Sequence, residues 1–288
     1  MKAAAFDYAK PGSLAGMFDL LQRHGDAARV LAGGQTLLAT LAMRLSEPAL
    51  LIDLAGIEAL SGIALDGERL RIGAMTTHSE IEASALVAQH VPLLALAAPH
   101  IAHRAIRNRG TLGGSVAYAD PASEWPACLL ALDATVVVQG GGGERRIAAE
   151  DFFLDLYTTA LGPGEIVTAC EFALRAADDV CGFDELARRR GDYASVGLAF
   201  AARRDGAALR RVRLAFLGLG STPLRARGAE AALEGCAPTP AAIDAALAAL
   251  AGELDPHPDL THSAATKRHL AGVLMRRALL ACQEPAHA

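Results

Sequence analysis

Two glycine pairs are the segments of this chain best suited to bind a phosphate group. The first lies in Ala32-Gly33-Gly34-Gln35-Thr36, and the second lies in Thr111-Leu112-Gly113-Gly114-Ser115. Backbone N–H groups of such a turn can surround an anion, and a residue without a side chain lets phosphate oxygens approach closely. Glycine also serves simply to turn a chain, so for either pair alone both interpretations stay open.

The residues around the first pair predict the elements that would position it. The run Arg29-Val30-Leu31 predicts a strand, and leucines at four positions between 37 and 45 recur with the period of a helix. Thr36 is placed to cap that helix, whose first-turn N–H groups and dipole favour an anion. The order strand, glycine turn, helix therefore predicts a phosphate site at the start of the helix.

The second pair continues into a longer motif that resembles a known family. AGGQT (32–36) and TLGGSVAYADPASEWP (111–126) are similar to the FAD-binding subunit, or medium chain, of the molybdenum hydroxylases of the xanthine dehydrogenase and carbon monoxide dehydrogenase type. Further matches follow in order along almost the whole chain: LIDL (51–54), IGAMT (72–76), RNRG (107–110), FF (152–153), GEIV (164–167) and RGDYA (190–194). Neither a GxGxxG after a strand nor a GxxxxGK[ST] loop is present.

The resemblance implies an α+β fold with two domains. Residues 1–176 would form a two-part FAD-binding domain of the PCMH/VAO-like type, with subdomains of about 1–55 and 56–176. Residues 177–288 would form a C-terminal domain made of an antiparallel sheet plus helices. The local patterns agree, because alternating runs after Val180 predict antiparallel strands and the residues beyond Ala226 predict helices. At the other end, Ser13 predicts the cap of a helix that ends before Gly25.

The resemblance also implies which residues hold FAD. Both glycine segments would grip its pyrophosphate, Glu124 would accept hydrogen bonds from the adenosine ribose, and Ile101 and Val167 would border the flavin ring. Tyr193 would either close over the ring or pack half-buried in its loop. The predicted cofactor-binding residues are Ala32, Gly33, Gly34, Gln35, Thr36, Leu37, Ile101, Thr111, Gly113, Gly114, Ser115, Glu124, Val167 and Tyr193.

Three positions depart from the family pattern: Glu124 stands where many relatives have Asp, Ile101 stands where some relatives present an aromatic residue to the ring, and the third is Asp184. Asp184 stands where relatives carry a lysine beside the flavin, so no cationic role is expected there. Arg188 either supplies that positive charge instead or is an exposed strand arginine. The arginines between 104 and 109 either contact the pyrophosphate or a partner subunit, or form a solvated basic surface.

The function implied by the resemblance is electron transfer. FAD would be bound non-covalently, since the first glycine segment has Gln35 rather than a histidine or cysteine able to attach to the ring. A large subunit with molybdopterin would oxidise the substrate, and a small subunit with [2Fe-2S] clusters would pass the electrons to this flavin and on to an external acceptor. Two alternatives stay open: a self-contained FAD-dependent oxidoreductase, and a non-enzymatic nucleotide-binding module. No catalytic residue is predicted.

Composition limits the partners and the location. A net charge of −5 and a pI near 6.0 argue against nucleic acid. No apolar run approaches a membrane span or a targeting segment, which predicts a cytoplasmic protein. The five cysteines are scattered without a CxxC, so they predict buried small residues rather than disulfides or an iron–sulfur site. His100 and His103 lack a third ligand, so no metal site is predicted.

Overall fold

The first part of the chain forms a small parallel sheet, and one of its strands leads directly into the first glycine segment. The computed structural model describes residues 2–282. Its first elements are β1 (Asp7–Ala9), α1 (Leu14–His24), β2 (Ala28–Leu31), α2 (Leu37–Ala42) and β3 (Leu50–Asp53), and the strands are ordered β1-β3-β2, all parallel. Ser13 caps α1 by accepting from the Gly16 N–H at 3.2 Å, and Gly25 ends the helix with a φ of +50°, so both predicted ends are confirmed.

The second part adds a five-stranded antiparallel sheet and several short helices. Its elements are β4 (Ile63–Asp66), β5 (Arg69–Gly73), α3 (His78–Ala83), α4 (Ala85–His90), α5 (Pro92–Ala97), α6 (Arg104–Arg107), α7 (Leu112–Tyr118), α8 (Glu124–Ala131), β6 (Thr135–Gly140), β7 (Gly143–Ala148), α9 (Ala149–Phe152), β8 (Phe153–Asp155), β9 (Thr158–Thr159) and β10 (Ile166–Ala173). The sheet order is β4-β5-β10-β6-β7, and β8 and β9 form a separate hairpin. The second glycine segment starts α7.

The third part is the predicted antiparallel sheet with helices. Its elements are β11 (Asp179–Leu186), β12 (Val196–Asp205), β13 (Ala208–Leu217), β14 (Leu224–Arg225), α10 (Arg227–Leu233), α11 (Pro240–Glu253) and α12 (Ala264–Ala281). One face of this sheet buries Phe200 and Leu214 against the three helices. The other face brings Ala199 and Leu217 into the core that surrounds Trp125 of α8. The C-terminal sheet therefore forms part of the frame of the preceding region. The predicted boundary near residue 176 falls between β10 and β11 and stays a prediction, and residues 283–288 of the predicted C-terminal domain lie outside the described residues.

Three local predictions differ from the structure. Helix α2 ends at Ala42 because Arg44 adopts a left-handed φ of +57°, so the predicted helical period does not extend to Leu45, which is exposed. Thr36 precedes α2, but its side chain accepts no capping hydrogen bond because its own backbone is already helical. Among the cysteines, Cys128 and Cys170 are buried as predicted, whereas the other three are half-buried or exposed.

A buried ion pair fastens α10 to the C-terminal sheet and generates a stability prediction. Glu230 accepts hydrogen bonds from Arg225 Nε at 3.0 Å and from the Leu214 N–H at 2.9 Å, and both charged side chains are buried. We expect Glu230→Ala to lower the free energy of unfolding by about 3 kcal/mol, because the buried Arg225 loses its nearest carboxylate and the buried Leu214 N–H loses its acceptor. Asp205→Ala, which breaks an exposed pair with Arg210, should cost less than about 1 kcal/mol. Urea denaturation of both variants measures the difference, and equal losses would contradict the assignment.

Candidate cofactor site

A cleft of about 750 Å³ runs between the parallel sheet, the second glycine segment and the loop before β12. Its volume lies in the range typical of small-molecule and cofactor pockets. All fourteen residues predicted to bind a cofactor line it, although they come from segments far apart in the chain. The structure therefore brings the predicted set together in one place, and the contact each residue makes with a ligand stays a prediction.

The first glycine segment presents free backbone donors to this cleft. Within residues 2–282, the N–H groups of Gly33, Gly34, Gln35 and Thr36 meet no hydrogen-bond acceptor. Gly34 has a φ of +75°, which favours glycine, and the Gln35 amide donates to the Gly33 carbonyl at 3.1 Å, which closes the loop on itself. Consecutive unpaired N–H groups of this kind form a nest for an anion. The segment therefore fits a phosphate-bearing cofactor.

The second glycine segment does not repeat this arrangement. The N–H groups of Leu112 and Gly113 donate to carbonyl oxygens of the segment 74–76 at 3.0 and 2.8 Å, and the Gly114 N–H donates to Thr111 Oγ1 at 3.1 Å. Gly113 and Gly114 lie inside the first turn of α7 rather than in a turn between elements. The prediction that this segment offers a matching N–H nest from the opposite side is therefore wrong, because the helix cap and the neighbouring segment already use those donors.

Contact between protein segments explains the glycines better than the predicted approach of a phosphate. A Cβ on Gly33 would overlap the carbonyl oxygen of Arg109, and a Cβ on Gly113 would overlap Ala74. A Cβ on Gly114 would lie only 3.1 Å from the Cβ of Ala32. Gly33 thus lets the first segment touch residues 109–110, just before the second segment, and Gly114 lets the second segment approach Ala32.

The wall away from the nest is apolar, with tyrosines at its mouth. Ile101 and Val167 are buried and line the cleft, and Val167 lies at a bulge where β10 shifts its register against β6. Tyr193 is 69% exposed, so the half-buried alternative does not apply, and its ring borders the opening. Tyr157 lies beside it in the lining and contacts the Tyr118 ring at 5.0 Å. A planar ligand could lie between these surfaces.

Glu124 is the first residue of α8, and its carboxyl group is buried in the cleft wall. Burial, followed by the negative charge of Glu185, raises the pKa of the Glu124 carboxyl to about 8. Asp120 adds a smaller contribution in the same direction. A neutral carboxyl group can donate a hydrogen bond as well as accept one. The predicted contact with a ribose stays a prediction.

Sequence reasoning considered Asp184, but the residue aimed inward is its neighbour Glu185. Asp184 faces α12, where it accepts from Arg277 at 3.4 Å. The Glu185 side chain is only 7% exposed, lies 3.7 Å from His100 Nδ1, and its Oε2 meets no hydrogen-bond partner among the described residues. Because side chains alternate along a strand, a shift of one position moves a residue to the other face. The sequence around Asp184 does not show which of these two neighbouring residues faces inward.

Arg104 and Arg107 have structural partners, and Arg188 lines a different cavity. Arg107 is buried and donates to Glu82 at 3.0 Å and to the Ile101 carbonyl at 3.0 Å. Arg104 also donates to Glu82, so these two arginines join α3 to α6 rather than face the cleft. Arg188 lines a separate cavity of about 320 Å³, which shares Asp120, Tyr157, Asp192 and Tyr193 with the cleft and also contains the buried Lys267.

The part of the chain that the structure describes contains neither a cluster of metal-ligating side chains nor a membrane-spanning helix. Within residues 2–282, no group of three or more histidine, cysteine or carboxylate residues lies close enough together to hold a metal ion. Over the same residues, no helix is both long enough and apolar enough to cross a membrane.

Comparison with known proteins identifies the family. The sequence profile described as the FAD binding domain in molybdopterin dehydrogenase matches residues 4–172, and the CO dehydrogenase flavoprotein C-terminal domain matches residues 182–282. The chain therefore belongs to the FAD-binding family of the molybdopterin dehydrogenases. The resemblance predicted from the glycine motifs is confirmed. FAD as the cofactor, and the two-part FAD-binding domain followed by a sheet-rich C-terminal domain, are confirmed with it.

Individual members of the family match almost from end to end. The chain is 39% identical over 280 residues to the nicotine 6-hydroxylase medium subunit of Paenarthrobacter nicotinovorans, covering 97% of this chain and 98% of that subunit. It is 36% identical over 274 residues to the carbon monoxide dehydrogenase medium chain of Hydrogenophaga pseudoflava, covering 95% and 96%. A solved structure of carbon monoxide dehydrogenase from Hydrogenophaga pseudoflava aligns with a TM-score of 0.95 at 38% identity, over 98% of both chains.

The contact beneath the nest generates a binding prediction. We expect Gly33→Ala to lose most of its FAD and to lower the free energy of unfolding by about 1–3 kcal/mol, because the new Cβ must push the loop away from the Arg109 carbonyl. Gly141→Ala is the matched control, since a Cβ there meets no atom within 4 Å. The FAD-to-protein absorbance ratio and the melting temperature check both variants. Wild-type FAD content in Gly33→Ala would show that the contact between Gly33 and the Arg109 carbonyl is not needed to position the N–H groups of residues 33–36.

The buried carboxyl group generates a pH prediction. Glu124 has a folded-state pKa of about 8, above its ordinary value of 4.5, so its neutral form stabilises the fold at low pH. That contribution is complete below about pH 4.5 and is lost as the pH rises through about 8. In the FAD-free protein we expect Glu124→Gln to melt about 10 °C higher than wild type at pH 8.5 and much closer to wild type at pH 5. The exposed Glu58→Gln controls for loss of one charge, and parallel melting curves for wild type and Glu124→Gln across pH would contradict the prediction.

Proposed function

We propose that this chain is the FAD-carrying electron-transfer subunit of a heterotrimeric molybdenum hydroxylase. In this proposal a large molybdopterin subunit oxidises the substrate, and a small subunit with [2Fe-2S] clusters supplies the electrons. This chain holds FAD non-covalently and delivers the electrons to an external acceptor. FAD itself, once bound, supplies the redox chemistry, and the protein positions it and sets its surroundings.

The observation that carries the proposal is the row of unpaired N–H groups at Gly33–Thr36 on the cleft floor. Such a row binds the pyrophosphate of a dinucleotide without any charged side chain. The flavin ring would then extend toward the apolar wall of Ile101 and Val167. The medium chains and medium subunits among the relatives support this use of the cleft.

The mouth of the cleft supports a partner that covers it. Tyr157 on the β8–β9 hairpin and Tyr193 both line the cleft and are exposed, and the exposed Leu156 beside Tyr157 lines the adjoining smaller cavity. Apolar side chains grouped at one opening are typical of a surface that another protein covers. A partner docked there could place its own redox centre near the ring.

The second cavity favours one alternative function. A self-contained oxidoreductase would need a substrate pocket supplied in part by the C-terminal region, and the smaller cavity includes Ser195 and Lys267 from that region. It shares a wall with the cleft at Tyr193, so a small molecule bound there would lie beside the flavin. The cytoplasmic location stays a prediction in either case.

Anaerobic mixing separates the two functions. We expect the FAD-loaded chain alone to keep its flavin absorption band when mixed with carbon monoxide, purines, N-heteroaromatic compounds or aldehydes, because its electrons would arrive from a partner. Adding the chains that copurify with it should allow one of these substrates to bleach the band. Chemical reduction with dithionite is the control that the bound flavin can be reduced. Bleaching by a substrate without partners would replace the electron-transfer proposal with the self-contained enzyme.

A further inference from the structure

His78 lies on the cleft floor directly beneath the second glycine segment. It is the first residue of α3, and its backbone N–H donates to the Gly110 carbonyl at 3.0 Å. Its ring occupies the space that a side chain on Gly110 would need, since a Cβ there would lie 2.6 Å from His78 Nε2. The side chain is buried except for the part that lines the cleft.

The tautomer of this histidine is set by the chain's single tryptophan. The Trp125 indole Nε1–H donates to His78 Nδ1 at 2.9 Å, and Trp125 itself is fully buried. A ring nitrogen that accepts a hydrogen bond carries no proton, so in the neutral imidazole the proton resides on Nε2. Trp125 therefore holds His78 as an Nε2–H donor.

That donor has no acceptor in the described protein. Among residues 2–282, no hydrogen bond joins His78 Nε2 to another protein atom, and the ring lines the cleft. Nε2 is not one of the fully buried atoms that lack a partner, so this donor stays accessible from the cleft. The geometry thus leaves a fixed donor facing the space where a ligand would bind.

The donor lies next to the N–H nest. Gly33 rests on Arg109 and Gly110, because a Cβ on Gly33 would come within 2.8 Å of the Gly110 Cα. The imidazole of His78 contacts the same glycine, because a Cβ on Gly110 would lie 2.6 Å from His78 Nε2. Gly110 therefore contacts both Gly33 and the imidazole of His78, which places the ring one residue away from the N–H nest and in the lining of the same cleft.

We propose that His78 Nε2–H donates a hydrogen bond to a phosphate oxygen of the bound dinucleotide, with its proton held on that nitrogen by Trp125. The inference rests on the proposed function only in that the cleft holds FAD. It adds a side-chain donor to the backbone nest and explains why a buried tryptophan N–H is directed at a buried histidine.

The surroundings keep this donor neutral. Burial, followed by the positive charge of Arg107, lowers the pKa of His78 to about 4. Near neutral pH the ring is therefore uncharged, and the contact with the phosphate is a hydrogen bond rather than an ion pair. The neutral ring also leaves Nδ1 unprotonated, so Nδ1 accepts the hydrogen bond from the Trp125 indole N–H at the same time.

Two substitutions separate the two ring nitrogens. His78→Asn can keep an oxygen near the position of Nδ1 for Trp125 but has no atom near Nε2, whereas His78→Gln can place an amide N–H near Nε2. We expect His78→Asn to weaken FAD binding about tenfold and His78→Gln to stay within about threefold of wild type. ADP, which carries the phosphates without the flavin ring, should show the same losses when it competes with FAD. Melting temperatures without ligand show whether either variant disturbs the fold.

A measurement on the wild-type chain does not depend on how the variants fold. Long-range 1H–15N spectra of the histidine rings should show His78 Nε2 protonated, with its resonance shifting when FAD or ADP is added. An unprotonated Nε2, or no shift with either ligand, would overturn the proposal. Equal weakening by Asn and Gln, or a loss for FAD without one for ADP, would also overturn it. If wild type itself binds no FAD, the proposed function fails instead, and the two failures are distinguishable.

Discussion

The cleft depends on one close contact, in which Gly33 rests on the backbone of Arg109 and Gly110 without space for a side chain. This contact joins the loop after β2 to the residues just before α7, although they are far apart in sequence. Close packing of backbone on backbone transmits any added volume directly into displacement. The position of the N–H nest is therefore set by the second glycine segment, even though that segment supplies no nest of its own.

The two glycine segments thus have different structural roles although both contain a glycine pair. The first leaves its N–H groups unpaired because the chain bends through a left-handed Gly34 before α2 begins. The second uses its N–H groups within a capped helix and against the segment 74–76, which makes it a rigid support. A phosphate site needs both, since unpaired donors bind an anion well only when they are held in place before it arrives.

Much of the fold was predictable because local signals agreed with the tertiary structure. Ser13 and Gly25 bracket α1 as their capping chemistry requires, and the alternating C-terminal runs form the antiparallel sheet. The cleft lining was predictable from motifs, but its hydrogen bonds were not. Whether the Gly113 N–H is free depends on the Ala74 carbonyl in the turn after β5, and which of Asp184 and Glu185 faces inward depends on strand register. Neither is encoded in a short segment.

The role of His78 is another feature that the sequence alone does not predict. A lone histidine at the start of a short helix carries no signal of its own, and its role becomes visible only when Trp125 and Gly110 are placed around it. The tryptophan comes from the motif that continues the second glycine segment, so that motif contributes to the cleft floor through a residue that never reaches the cleft surface. Buried groups of this kind determine the protonation of the donors that a cofactor meets, and a fixed tautomer removes one source of disorder from the site. The unpaired N–H groups of Gly33–Thr36 and the proposed His78 donor are all uncharged, whereas Glu124 contributes a buried carboxyl group to the lining of the same cleft.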